Sequence, residues 1–249
     1  MLNVDAAVDR RDFTVATALE VADGERVALF GPSGAGKTTV LEVIAGLVVP
    51  ARGRVELGGR VLTSTPGRGV TAPTVAVPPW QRRVGLLRQD PGLFPHLSVR
   101  ANLTYARSSS AGGRAGGTEL AEIASSLGID GLLAAMPARL SGGQRHRVAL
   151  GRLLLAHCDA LLFDEPFASL DPITRYELQR QFLELRSTVR KTALFVTHDV
   201  REALLLATRI ALLREGELES VATPEEFLAT RTKEGQAFLA CLDDDGRSD

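Results

Sequence analysis

Two stretches of this chain hold residues whose types and spacing suit work on a phosphate ester, and a third offers an anion-binding helix start. The first is Gly31-Pro32-Ser33-Gly34-Ala35-Gly36-Lys37-Thr38-Thr39, which satisfies G-x-x-x-x-G-K-[ST] at every fixed position. Glycines in such a turn let several backbone N–H groups converge on one anion. Lys37 is then placed to reach the β- and γ-phosphates of a nucleoside triphosphate, and the Thr38 hydroxyl to ligate Mg²⁺. The chain carries 29 basic residues, of which only Lys37, Lys191 and Lys233 are lysines. A compact ammonium at the one point where a guanidinium fork would not fit strengthens the reading. The second stretch, Leu161-Leu162-Phe163-Asp164-Glu165, ends an apolar run on two carboxylates. Alone, that ending is equally a solvated strand terminus. Downstream of a complete phosphate loop, Asp164 becomes a candidate Mg²⁺ ligand and Glu165 a general base for water. The third, Leu140-Ser141-Gly142-Gly143-Gln144, opens a helical pattern with a hydroxyl and two glycines. It reads either as a Ser N-cap or as a second phosphate-binding surface.

These groups need elements to hold them. Arg26 to Phe30 reads as a short buried strand before the phosphate loop, and Val40, Leu41, Val43, Ile44 and Leu47 recur at helical spacing after it. Strands are expected at Val84 to Leu87, Ala160 to Phe163 and Ala193 to Val196, with helices at Glu119 to Leu127, Gln144 to Ala156 and Ile173 to Val189. Alternating strands and helices imply an α/β fold with a mostly parallel sheet and helices on both faces, and with the phosphate-loop motif in it the expected fold class is a P-loop ATPase core. Alternation between Val4 and Leu19 adds an N-terminal antiparallel β lobe, and Gly53 to Leu62 reads as a hairpin across Gly58-Gly59. Thr63 to Pro79, rich in proline, reads as a long irregular loop, and Ser108 to Gly117 as a flexible connector in an inserted helical subdomain. The expected domains are residues 1–231 for the ATPase, with the helical subdomain at about 90–157, and a short C-terminal helix and acidic tail at 232–249.

Composition excludes several alternatives. A net charge of −1 gives no global basic field for nucleic acid. The two cysteines, Cys158 and Cys241, form no metal-ligand pattern, which fits a reducing compartment. The N-terminus lacks the pattern of a signal peptide. The most apolar window, Ala203 to Leu213, is broken by Arg209 and is too short to span a bilayer. The expected location is cytoplasmic.

In this order the motifs resemble the ATP-binding-cassette (ABC) ATPases, from Phe13 to Phe227. The resemblance implies further roles. Gln89 corresponds to the glutamine that contacts Mg²⁺ and the attacking water, and His198 to the switch histidine at the γ-phosphate. Ser169-Leu170-Asp171 corresponds to the loop at the dimer seam. It implies a head-to-tail homodimer in which Ser141, Gly142, Gly143 and Gln144 of one chain close the phosphate loop of the other. It also implies an aromatic ring stacked on adenine, for which Phe13 is the nearest candidate; a buried strand Phe is the other reading. Arg88 stands where the family has an apolar residue.

The resemblance extends to importers whose ATPase and permease are separate subunits. Leu93-Phe94-Pro95-His96-Leu97-Ser98-Val99, with two large apolar residues read as exposed in a polar loop, is similar to the segment that docks a permease. Val77 to Gly85 is similar to molybdate and polyamine importers, and Thr197 to Ala203 to osmoprotectant importers. Implied partners are integral-membrane permease subunits and, indirectly, a solute-binding protein, with no nucleic acid. The implied location is peripheral on the inner face of the cell membrane. The expected function is ATP hydrolysis, with ATP and Mg²⁺ as cofactors, energising uptake of a small solute. The alternative is a soluble ABC ATPase of repair or translation type. Such proteins usually carry two cassettes or a long coiled coil, and neither pattern is present in this sequence.

Overall fold

The computed structural model describes residues 1–10, 13–66, 73–108, 117–168, 170–185 and 191–229. Eleven strands form one sheet among these residues. Its parallel half holds β3 (Arg26–Phe30), β7 (Val84–Leu87), β8 (Ala160–Asp164), β9 (Thr192–Thr197) and β10 (Arg209–Arg214), in the spatial order β10-β3-β9-β8-β7. The other half is antiparallel except for one short contact. It is built from β1 (Leu2–Asp9), β2 (Thr14–Val21), β4 (Arg52–Leu57), β5 (Arg60–Thr65), β6 (Val75–Ala76) and β11 (Glu217–Ala222). β11 joins the halves, pairing antiparallel with β10 and, at Glu217 and Ala16, parallel with β2.

Both faces of the parallel strands are buried, so their sequences run continuously apolar while their side chains sort by parity. Phe30, Leu161, Phe163, Phe195 and Leu212 enter one core. Leu29, Leu162, Leu194, Val196 and Leu213 enter the other. The first core is roofed by α2 (Val99–Ser108), α3 (Gly117–Ser126), α4 (Gly142–Leu155), α5 (Pro172–Leu185) and α6 (Val200–Leu206). The second encloses α1 (Lys37–Ala45), whose Val40, Leu41, Val43 and Ile44 pack with the inward residues of the β lobe.

Arg82 fixes the far end of α1. Its side chain is 3% exposed and donates to the Val43 and Ile44 carbonyls at 3.0 Å each, to the Val77 carbonyl at 2.7 Å and to Thr63 Oγ1 at 2.8 Å. Carbonyls at a helix C-terminus have no partner within the helix, so a buried guanidinium there satisfies them and meets the negative end of the dipole. Where a long irregular loop is expected at 63–79, residues 67–72 lie outside the described residues and the flanking parts hold regular structure. β5 continues to Thr65, β6 returns at Val75–Ala76 and a 3-10 turn covers Pro79–Gln81.

The helical insertion between β7 and β8 is α2, α3 and α4. Of the expected connector at 108–117, residues 109–116 lie outside the described residues, as do Ser169 and the whole of the expected C-terminal helix and tail at 232–249. The last described element is the short helix α7 (Pro224–Ala229), whose Phe227 meets Phe30 edge-on at 5.9 Å. No described helix is long and apolar enough to cross a membrane.

Candidate functional site

Register aligns the strand ends that carry the chemistry. Phe30 pairs with Thr197, Val196 with Asp164, and Phe163 with Leu87. The loops after β3, β9, β8 and β7 therefore emerge side by side at the carboxyl edge of the parallel sheet, where open α/β sheets bind ligands. They carry the phosphate loop, His198, Glu165 and Gln89 respectively, and Asp164 is the last residue of β8 itself.

The phosphate loop needs its glycines for two separate reasons. At Gly31, φ is 151° and a Cβ would stand 2.1 Å from the Leu213 carbonyl oxygen of β10. At Gly36, φ is 98° and a Cβ would meet Val15 Cγ2 at 2.6 Å. Both are left-handed conformations that a side chain resists, and both bring the loop against a neighbouring strand. Gly36 is also the N-cap of α1 and makes no side-chain cap. The first-turn amides of α1 are thus open to an anion, aided by the positive end of the helix dipole.

Lys37 lies folded over this loop, 5% exposed, donating to the carbonyls of Gly31 and Pro32 at 2.8 Å each. Burial lowers its pKa, against the opposing pull of Glu165 and Asp164. The Thr38 hydroxyl donates to Asp164 Oδ1 at 2.9 Å. Burial raises the pKa of Asp164; the Thr38 bond opposes this and Glu165 adds to it.

Glu165 leaves β8 with φ 48°, its N–H bonded to the Val196 carbonyl at 3.2 Å. Left-handed backbone at a residue with a side chain costs about 1–3 kcal/mol and recurs at functional positions. Here the bend carries Glu165 to the phosphate loop and sets its Oε1 3.2 Å from His198 Nδ1. A cavity of about 390 Å³ lies among Arg10, Phe13, Ser33, Gly34, Gly36, Lys37, Thr38, Thr39 and Glu165. A larger hollow, about 730 Å³, lies on the N-terminal lobe around Ala7, Ala16 and Ala18 and includes no residue of the phosphate loop.

Within one chain, the structure brings together the phosphate loop, Phe13, Asp164, Glu165 and His198. Gln89 is exposed beyond β7 and does not line the cavity. Ser141, Gly142, Gly143 and Gln144 do not line it either. They begin α4 with a reciprocal capping box: Gln144 N–H donates to Ser141 Oγ at 3.2 Å, and Ser141 N–H to Gln144 Oε1 at 2.9 Å. Gly143 abuts α5, since a Cβ there would sit 2.7 Å from Thr174 Cγ2.

Two arginines gain roles that motif spacing did not disclose. Arg10 lines the cavity and donates to Thr39 Oγ1 at 2.8 Å. Arg88 reaches Glu42 of α1 at 3.8 Å, and its charge partly opposes the burial that raises the pKa of Asp164. Glu42 also lies 3.5 Å from Arg10. The expected exposure of Leu93 and Phe94 is corrected. Leu93 packs on the helical core, while the Phe94 ring lies 4.2 Å from Tyr105 and 5.2 Å from the Arg152 guanidinium. Of this cluster, Tyr105 is the exposed ring.

Comparison with known proteins agrees with this geometry. The ABC transporter family profile matches residues 16–168. The sn-glycerol-3-phosphate import ATP-binding protein UgpC of Cereibacter sphaeroides is 39% identical over 84% of the chain, which spans 56% of that relative. The molybdenum import ATP-binding protein ModC of Mesorhizobium japonicum is 40% identical over 91% of the chain, which spans 59% of it. The chain thus spans little more than half the length of either relative. A solved ATP-binding cassette, in a dimeric post-hydrolysis state bound to ADP and Pi, superposes with a TM-score of 0.71. It is 25% identical, and the match covers 90% of this chain and 99% of that one. The phosphate loop, the carboxylate strand end and the capped α4 start lie on a cassette fold, and the chain belongs to the ABC transporter family.

Proposed function

We propose that this chain is the ATP-binding and ATP-hydrolysing subunit of an ABC importer, working as a homodimer beneath separate permease subunits. The observation that carries the reading is the division of phosphate-binding surfaces. The loop at 31–39 forms a cavity with Glu165, while the α4 start at Ser141–Gln144 lies outside that cavity. One chain thus holds two half-sites, and a head-to-tail dimer completes both.

In the composite site, the amides of residues 33–39 hold the β- and γ-phosphates, and the Lys37 ammonium leaves the loop carbonyls for the phosphate oxygens. Phe13 stacks on the adenine. Glu165 takes the proton of the attacking water, and His198, 3.2 Å from it, orients the carboxylate and contacts the γ-phosphate. Gln89 enters the site when the dimer closes. Ser141, Gly142, Gly143 and Gln144 of the partner then present the N-terminus of α4 to the γ-phosphate.

The oxygen donors Thr38 and Asp164, 2.9 Å apart, suit a hard cation, and the described residues contain no His/Cys/Asp/Glu cluster that would hold a metal alone. That fits Mg²⁺, which takes few protein ligands and completes its shell with phosphate and water. Bound there, with Gln89 as a third candidate ligand, it would neutralise charge on the transferred phosphoryl group.

Residues 1–231 act as the ATPase domain, with 90–157 as its helical subdomain. The exposed Tyr105 ring on that subdomain, backed by the Phe94 ring at 4.2 Å, is the apolar contact offered to a permease segment. The protein works in the cytoplasm on the inner face of the cell membrane, with a solute-binding protein as an indirect partner and no nucleic acid. The named relatives are import proteins for sn-glycerol-3-phosphate and molybdenum, and a small solute is the cargo proposed by analogy.

The test is phosphate release from Mg-ATP by the purified full chain. Lys37→Ala should lose all measurable turnover and weaken ATP binding, because no other charge replaces the ammonium on the β- and γ-phosphates. Wild-type turnover in that variant would refute the site. Co-purification with a multi-span membrane subunit supports import, and sedimentation with ribosomes or DNA would refute it.

A further inference from the structure

Behind His198 lies a buried carboxylate that the proposed chemistry does not use. Glu202, in the first turn of α6, is 5% exposed. Its Oε2 accepts the Thr197 hydroxyl at 2.7 Å, and its Oε1 accepts Gln179 Nε2–H at 3.1 Å. Thr197 closes β9 immediately before His198, and its Oγ1 also accepts the Asp199 N–H at 3.0 Å. One hydroxyl therefore grips the chain on both sides of His198, and Glu202 holds that hydroxyl.

The other carboxylate oxygen reaches a different element. Gln179 belongs to α5, which follows Leu170-Asp171, the described part of the loop assigned to the dimer seam. The same helix touches the switch turn a second time, through Arg175, which lies 3.9 Å from Asp199 and donates to the Leu170 carbonyl at 3.4 Å. Its start also braces the α4 N-terminus, through Thr174 against Gly143. A carboxylate buried here costs more desolvation than an apolar side chain of the same size. What it supplies is two acceptor oxygens aimed at two separate elements.

We infer that Glu202 is a positioning residue for hydrolysis, holding the His198 turn through Thr197 and fixing that turn to α5 through Gln179. The orientation of His198 toward Glu165 then follows α5, so the hydrolytic group of one site is braced by the helix that begins at the dimer seam. The inference rests on the ATP-hydrolysis reading.

The experiment uses the full chain and measures kcat and KM for ATP in the wild type, Glu202→Ala, Glu202→Gln, Thr197→Val, His198→Ala and the double variant Glu202→Ala/His198→Ala. Misplacing a catalytic group by an ångström costs up to about a hundredfold, so Glu202→Ala and Thr197→Val should each lower kcat by roughly ten- to a hundredfold. KM should stay within about twofold, because the phosphate loop is untouched. Glu202→Gln should recover most of the rate, since its amide oxygen still accepts from Thr197 and Gln179 can turn its own amide. In the His198→Ala background, adding Glu202→Ala should cost less than about twofold, the sign that both act through one group.

Full kcat in Glu202→Ala, a loss confined to KM, or losses that multiply in the double variant would each overturn the inference. If Glu202→Ala does not fold, Thr197→Val decides: full kcat there overturns it as well. A wild type without ATP turnover defeats the hydrolysis reading itself, whereas an active wild type with an indifferent Glu202 defeats only this role.

Discussion

Replacing Glu165 by Gln separates binding from chemistry more cleanly than any other change at this site. The amide keeps the size of the carboxylate and loses its charge and its capacity to accept a proton. The backbone bend does not depend on the side chain, because the Glu165 N–H is bonded to β9 at Val196. The 3.2 Å contact to His198 Nδ1 survives as a neutral hydrogen bond, since amide and imidazole can exchange donor and acceptor. Thr38 and Asp164 keep their own 2.9 Å contact, so the donors proposed for the cation stay in place. Lys37 loses one of the two carboxylates that support its ammonium but keeps Asp164. ATP affinity should therefore change by only a few fold. Turnover should lose the roughly 10²–10⁴ that a general base contributes, or about 3–5 kcal/mol of barrier. A chain that binds ATP without cleaving it should accumulate as the closed dimer, and adding Ser141→Arg should abolish that dimer by blocking the partner's γ-phosphate. Phosphate release gives the rate, equilibrium dialysis gives the affinity, and size-exclusion chromatography in Mg-ATP against Mg-ADP gives the assembly, run up to high protein concentration because dimers of isolated subunits follow mass action. Turnover above about a tenth of wild type would remove Glu165 as the base. A variant that binds ATP yet stays monomeric at every concentration would refute the two-chain site.

Two further changes test the scaffold. Gly36→Ala forces a Cβ into φ 98° and against Val15 Cγ2 at 2.6 Å, so it should cost about 2 kcal/mol and lower Tm by roughly 4–8 °C, with weaker ATP binding; an unchanged Tm would remove both the strain and the clash. Burial works to raise the Glu25 pKa from its ordinary 4.5, but the Arg209 side chain and the Ala22 N–H outweigh it, and the net shift is downward. A depressed folded-state pKa stabilises above the unfolded value, so the advantage of wild type over Glu25→Gln should be full above about pH 5 and fade as the pH falls through the lowered folded pKa. ATP turnover should not change, because Glu25 lies at the opposite end of β3 from the phosphate loop; an advantage that grows toward low pH would reverse the sign of the argument.

The phosphate loop, the strand before it and the helix after it were legible because each rests on local rules: turn glycines, an apolar strand and helical spacing. The carboxylate strand end was legible once that loop was in hand. Leu93 and Phe94 were misread for the opposite reason. Their loop is polar in sequence, and nothing nearby in the chain announces that Arg152, some sixty residues away, donates to the Pro91 and Gly92 carbonyls at 3.0 Å and stands against the Phe94 ring. Thr63 to Pro79 was misread similarly, because β6 gains its pairing from β5 and its anchor from Arg82, not from its own propensity.

The same distinction explains why the candidate catalytic groups were easier to find than the groups proposed to aim them. A residue that touches phosphate must sit in a turn of restricted backbone, and that restriction writes glycines and strand ends into the sequence. A residue that aims another needs only to be within reach, and reach is set by the register of distant strands. Arg10 approaches Thr39 because β1 and β2 fold over α1. Glu202 meets Gln179 because α5 and α6 pack on one face of the sheet, 23 positions apart in the chain. Both pairs are ordinary helix or loop polar residues in the sequence. Only when Phe30, Thr197 and Asp164 are brought to one edge does a carboxylate behind His198 become a candidate for controlling how that histidine points.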